Sequence, residues 1–169
     1  DYVFTHFFDE ASGSFWFTSD LDPALIARKK EIQDNVIPAS NSSLANALFR
    51  LGIHFENKNF SETASTMLHN VVNDMERYGA GYSNWALLML NFTQDFREVV
   101  ITGNSTDEKR KELQSHYLPN TVFAGSKKDS ELPLLLYRNI ESKTLIYVCE
   151  NRVCKLPVEN VAAALKMME

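Results

Sequence analysis

The chain has 169 residues, 44% of them apolar and 23% charged, with a formal net charge of −5. That length can bury a core as one domain or two small ones, and the composition is that of a globular domain rather than a disordered chain. The acidic balance and scattered cations exclude nucleic acid as the main partner, and no apolar run approaches the roughly 20 residues of a membrane-spanning helix.

The opening segment "DYVFTHFFDEASGSFWF" has no initiator Met, basic n-region or small-residue cleavage site, so it reads as the interior of a longer chain. A short strand or hairpin is expected at Phe15–Thr18, entered through a turn at Gly13. Pro23 suits the first turn of a helix running to about Glu31. A longer helix is expected from Ser42 to Phe55, capped by Asn41 or Ser42, because Leu44, Leu48, Leu51 and Phe55 keep helical spacing. The next begins after "ENKN", with Asn59 and Glu62 as a capping-box pair. It carries Phe60, Ala64, Met67, Leu68, Val71, Met75 and Tyr78 along one face until "RYGAGY" ends it. A third helix, Ser83–Thr93, is apolar on nearly every side and is expected to be buried. Short connections between these helices predict antiparallel hairpins.

After Phe96 the pattern changes. "REVVITG", "STDEKRKELQSHY" and "TVFAG" read as a strand, a charged helix and a second strand, a small βαβ-like unit. "KTLIYVCE" is a further strand that turns at Asn151-Arg152 into "VCKLP", and "VENVAAALKMM" is a terminal helix. The division is therefore 1–95 helical and 96–169 α/β.

Candidate chemistry is sparse. His6, His54, His69 and His116 stand singly, without an H-x-E or H-E-x-x-H pattern. Asp20, Asp22 and Asp34 are the carboxylates in loop settings, and no spacing forces two together as sugar hydrolysis requires. Four N-x-S/T sequons, at Asn41, Asn59, Asn91 and Asn104, read as chance matches, since Asn91 lies in an apolar run. "VVITGNST" has one glycine and no G-K-[ST], which is too little for a phosphate loop. Cys149-x4-Cys154 matches neither a zinc site nor a C-x-x-C motif. On a tight hairpin the two sulfurs can reach disulfide geometry. Sparse cysteine usage suits a reducing compartment, which favours free, packed thiols over a redox or crosslinked pair. On a helix, Arg28 and Lys30 diverge by about 200° and cannot face one ligand. Asp34 is placed to pair with Arg28, and Asn41 to cap.

The order "GSFWFTSD…ALIARKKEIQDNVIPASNSSLANALFRLG", "EVVITG", "YVCENRVCKLPV" resembles the C-terminal region of the DUF255 family of spermatogenesis-associated, thioredoxin-domain-containing proteins. The resemblance covers essentially the whole chain. It implies mainly α architecture with a small α/β portion: the helical hairpins of a partial (α/α)6 toroid, like that of N-acylglucosamine 2-epimerases and six-hairpin glycosidases, followed by a short β-sheet with flanking helices. It further implies an N-terminal thioredoxin-like domain elsewhere in the parent chain. Where the family shows Pro-Ser-Gly-Asn-Ser, this chain has Pro38-Ala39-Ser40-Asn41-Ser42, which removes a position free to adopt positive φ.

In a toroid, loops and helix starts face the cavity, so Arg28, Lys30, Asp34, Asn41 and Ser42 become candidates for binding a carbohydrate, with Trp16 and Phe17 able to stack on a sugar. The implied function is a carbohydrate-active or carbohydrate-binding region of unassigned reaction and unassigned catalytic residues. The alternative is a non-catalytic interaction module that scaffolds the redox domain. Neither cofactor nor metal is called for, the expected compartment is cytoplasmic, and the apolar third helix suggests a homodimer.

Overall fold

The structure is a computed structural model and describes residues 1–23 and 26–169. The chain divides into two compact units, Asp1–Gly52 with Asn57–Leu90, and Ile53–Glu56 with Asn91–Glu169.

The first unit opens on a helix that the alternating pattern did not suggest, α1 (Tyr2–Phe7), followed by β1 (Phe8–Asp9). β1 pairs antiparallel with β2 (Ser14–Phe15), with Phe8 opposite Phe15. Gly13, at φ +64, makes the turn between them. Phe4 packs edge-on to Phe15 at 5.2 Å and stacks on Phe60 at 5.7 Å, so the hairpin is held by aromatic contacts as well as two backbone pairs. The expected helix at Pro23–Glu31 is absent: residues 26–31 have no helical structure, and Ala24 and Leu25 lie outside the described residues. The segment instead runs alongside the hairpin and the next helix, Lys29 O accepting from Phe17 N–H (2.8 Å) and Glu31 O from Asn41 N–H (3.3 Å).

α2 (Ser40–His54) buries Ala45, Leu48, Phe49 and Gly52 along one stripe. α3 (Lys58–His69) is capped by Asn57, whose side chain accepts from Phe60 N–H, two residues before the expected capping box. It ends at Asn70, and α4 (Val72–Arg77) follows, so the single long helix read from the apolar stripe is two. The break coincides with Asn70 donating from its side chain to Ser12 O at 2.7 Å, a tertiary bond that periodicity does not report. α5 (Ser83–Thr93) buries Trp85 and Leu88, yet Leu87 and Leu90 are 58% and 45% exposed, against the expectation of a helix buried all round.

The second unit is built on a mixed four-stranded sheet. β3 (Arg97–Thr102) lies parallel to β4 (Thr121–Ser126), connected through α6 (Thr106–Gln114). On its other edge β3 pairs antiparallel with β5 (Leu145–Glu150), which pairs with β6 (Val153–Cys154), giving the order β4-β3-β5-β6. Asn151 and Arg152, both at positive φ, turn the β5–β6 hairpin. Val99, Ile101, Ile146 and Val148 face α6 and α7 (Val161–Lys166), packing on Leu113, Val161 and Ala164. Alternate residues face the opposite way: Val100, Ala124 and Tyr147 pack with Leu134, Leu135 and Ile53. Gly103, at φ +111, leaves β3 where an added Cβ would lie 2.1 Å from Lys143 O.

These elements overturn the partial toroid. Helix makes up 43% of the chain and strand 15%, in a small α/β arrangement with two sheets. The helices are six to fifteen residues long; α6 and α7 pack on the second unit's sheet, and Phe60 of α3 stacks on Phe4 of α1.

Candidate functional site

In the first unit, Arg28, Lys30, Asp34, Asn41 and Ser42 form two groups. Because the segment is extended rather than helical, Arg28 and Lys30 both lie over Trp16, at 5.1 and 4.3 Å from its ring centroids. Arg28 Nη2 donates to Thr18 O at 2.6 Å and weakly to His6 O at 3.4 Å, and it makes no pair with Asp34. Lys30 Nζ donates to Asp9 Oδ2 and Ser12 Oγ. The ammonium, together with Ser12, holds the Asp9 carboxyl below the usual carboxylate range.

The second group is buried and saturated. Asp34 Oδ1 accepts from Ala39 N–H (2.9 Å) and Ser42 Oγ (2.6 Å), and Oδ2 accepts from Asn84 N–H (2.8 Å). Asp34 thereby ties the start of α2 to the start of α5. Asn41 is not a cap: Oδ1 accepts from Phe15 N–H, and Nδ2 donates to Phe15 O and Glu31 O, all within 3.0 Å. It thus replaces a strand partner for β2. Ser40 N–H, at the helix start, is satisfied by Glu31 Oε2 at 2.9 Å. The loop carboxylates do not converge, since Asp20 pairs with His6 Nδ1 at 2.7 Å and Asp22 accepts from Ser19 N–H at 3.0 Å. Beside these groups an apolar groove is lined by Val3, Phe7, Phe15, Trp16, Phe17 and Leu44.

In the second unit, Cys149 and Cys154 are opposite each other across β5–β6 and are joined by a disulfide, so the expectation of free thiols is overturned. The two-residue turn at Asn151-Arg152 is what brings them into register. Arg138 Nη1 lies 3.3 Å from Cys149 Sγ, with its guanidinium over Tyr147. Glu98 stands opposite Cys149 on β3, 5% exposed, with Oε2 unpartnered. Burial pushes its carboxyl above the usual range, against the opposing pull of Arg152 N–H and of the Arg138 and Arg152 charges.

Asp9, Ser12, Asn84, Arg138 and Glu98 were missed in the sequence. Only Glu98 carried a signal, a carboxylate at the head of the apolar run "VVIT". Among the described residues, no group of three or more His, Cys, Asp or Glu is placed to hold a metal ion, and no helix is long and apolar enough to cross a membrane.

The disulfide hairpin and the Pro38–Ser42 helix start are the segments on which the family resemblance rested. The chain is homologous to spermatogenesis-associated protein 20. It is 26% identical to the Homo sapiens protein over 96% of this chain, and 25% identical to the Mus musculus and Rattus norvegicus proteins over the same share. The chain spans 22% of the length of these curated relatives. No family model matches it.

Proposed function

We propose that this chain is a non-catalytic interaction module that supports a redox, thioredoxin-like domain of its parent protein. The observation that carries this is the internal saturation of Asp34, Asn41 and Ser42: their polar atoms bond backbone and side chains of the same unit, leaving little to grip a ligand. Trp16, the platform a sugar would need, already carries Arg28 and Lys30 over its ring. What the unit offers instead is apolar surface. Phe17 is 59% exposed beside the groove, and Val36 and Ile37, in the loop before α2, are 95% and 70% exposed. Such surface favours a protein partner over a carbohydrate.

The test uses the full-length protein. Calorimetric titration with mono- and oligosaccharides is expected to give no heat of binding, while Phe17→Glu with Ile37→Glu is expected to loosen the protein, read as protease nicking between this region and the rest of the chain. Saccharide binding that is abolished by Lys30→Met would overturn the proposal and restore a carbohydrate role.

A further inference from the structure

The Cys149–Cys154 pair lies in a different unit from the apolar groove, and its surroundings exceed what a structural crosslink requires. A disulfide that only staples a hairpin needs neither a cation nor an acid beside it. Here both are present. Arg138 Nη1 is 3.3 Å from Cys149 Sγ, and its position is fixed because its own carbonyl accepts from Thr102 Oγ1 and from Tyr147 OH, each at 2.9 Å. Glu98 is directly opposite Cys149 in the β3–β5 register, which puts the two side chains on one face with Cβ atoms about 4.5–5.5 Å apart. Its carboxyl is buried with one oxygen unpartnered, an arrangement that costs stability and has no packing return.

The two sulfurs also differ. Cys149 is 1% exposed, whereas Cys154 is half-buried on the two-residue edge strand β6, between the exposed Val153 and Lys155. We propose that this disulfide is a thiol–disulfide exchange site that accepts two electrons from a dithiol protein, Cys154 Sγ being the sulfur attacked and Cys149 Sγ the leaving thiolate.

In the first step a thiolate of the dithiol protein attacks Cys154 Sγ, forming a mixed disulfide as the Cys149–Cys154 bond breaks. The electron pair passes to Cys149 Sγ, where the Arg138 cation stabilises it; a thiol of lowered pKa leaves faster. Glu98, whose carboxyl burial holds above the usual range, gives its proton to that thiolate when it carries one, and is left as a carboxylate held by Arg152 N–H and by the Arg138 and Arg152 charges. Glu56, 3.8 Å from Arg152, also acts on this site and opposes that ionisation. In the second step the partner's other thiolate attacks its own sulfur in the mixed disulfide and releases Cys154 as a thiolate, which takes a proton from water. The partner ends as a disulfide and this chain as two thiols.

The experiment reduces the folded full-length protein with thioredoxin, as the dithiol-protein probe, and separately with dithiothreitol, then alkylates the free thiols and maps them by mass spectrometry. Thioredoxin is expected to be the faster reductant by at least about tenfold at equal thiol concentration. A thioredoxin variant lacking its resolving cysteine is expected to be trapped on Cys154. Glu98→Gln is expected to slow reduction about tenfold at acidic pH, and the ratio of wild-type to variant rates to fall toward one as pH rises and Glu98 loses its proton. Arg138→Gln slows reduction and Arg138→Lys restores part of it, with circular dichroism confirming that each variant is folded. Resistance of the folded wild-type protein to thioredoxin, trapping at Cys149, or variant rates within about twofold of wild type would overturn the proposal, and the trapping result stands even if a variant does not fold.

Discussion

Asn41 does more at the scale of one residue than any cap would. Its amide satisfies Phe15 N–H, Phe15 O and Glu31 O in a buried setting, so Asn41→Ala leaves both Phe15 backbone groups without partners and Glu31 O with only the backbone N–H of residue 41. The expected cost is about 3 kcal/mol, against about 1 kcal/mol for a lost cap, and urea denaturation distinguishes the two. Asp9 and Glu98 give opposite signs in pH. The Asp9 carboxyl is lowered by Lys30, so its contribution is present above the ordinary value of 3.8 and is lost as pH falls through the depressed value. The melting temperature of Asp9→Asn is therefore expected to lie below wild type at neutral pH, with the gap closing in acid. Glu98 is raised by burial, so its favourable share is complete below 4.5 and is lost as pH rises through the elevated value. Melting curves of Glu98→Gln are expected to gain on wild type as pH increases.

Elements differ in how far the sequence disclosed them. The β-branched runs at 98–102, 121–124 and 145–149 are strands, because both faces of the sheet are covered and a continuous apolar run is then stable. The stripes of α2 and α3 were legible for the same reason, each having a core to face. What stayed hidden depends on side chains reaching across the chain. Asn70 to Ser12 marks the end of α3, Arg28 to Thr18 O helps hold residues 26–31 out of a helix, and Arg138 arrives beside Cys149 from a loop with no periodic signal. The candidate site was legible as a set of residue types but not as a geometry: spacing on a helix set Arg28 and Lys30 apart, and an extended backbone brought them together over one ring. Two substitutions probe element ends. Gly103→Ala, whose Cβ meets Lys143 O, is expected to destabilise by roughly 3 kcal/mol or more in denaturant titration. Replacing both cysteines by serine is expected to cost only about 2 kcal/mol, because the sequence separation of 5 closes a short loop.

The whole molecule carries a net charge of −5, and its first unit leaves Leu87 and Leu90 uncovered on α5, with a second apolar depression lined by Val72, Met75, Tyr82, Ala86 and Met89. Self-association is the way a second copy of the chain would cover this apolar surface, working against the like charge of two copies. Light scattering of the isolated chain is expected to show mass rising toward a dimer over micromolar concentrations, and Leu87→Glu to return it to the monomer. The central place of β3 bears on motion rather than on assembly. It is the strand bonded along all six residues on both sides, parallel to β4 and antiparallel to β5, with Val99, Val100 and Ile101 buried. Its amides alternate between acceptors on β4 and on β5, so exposing the whole run requires both neighbours to detach. Those of residues 99–101 should therefore be the last in the second unit to exchange with deuterium, at a rate set by that unit's complete unfolding, while the β6 amides exchange through local fraying of the edge.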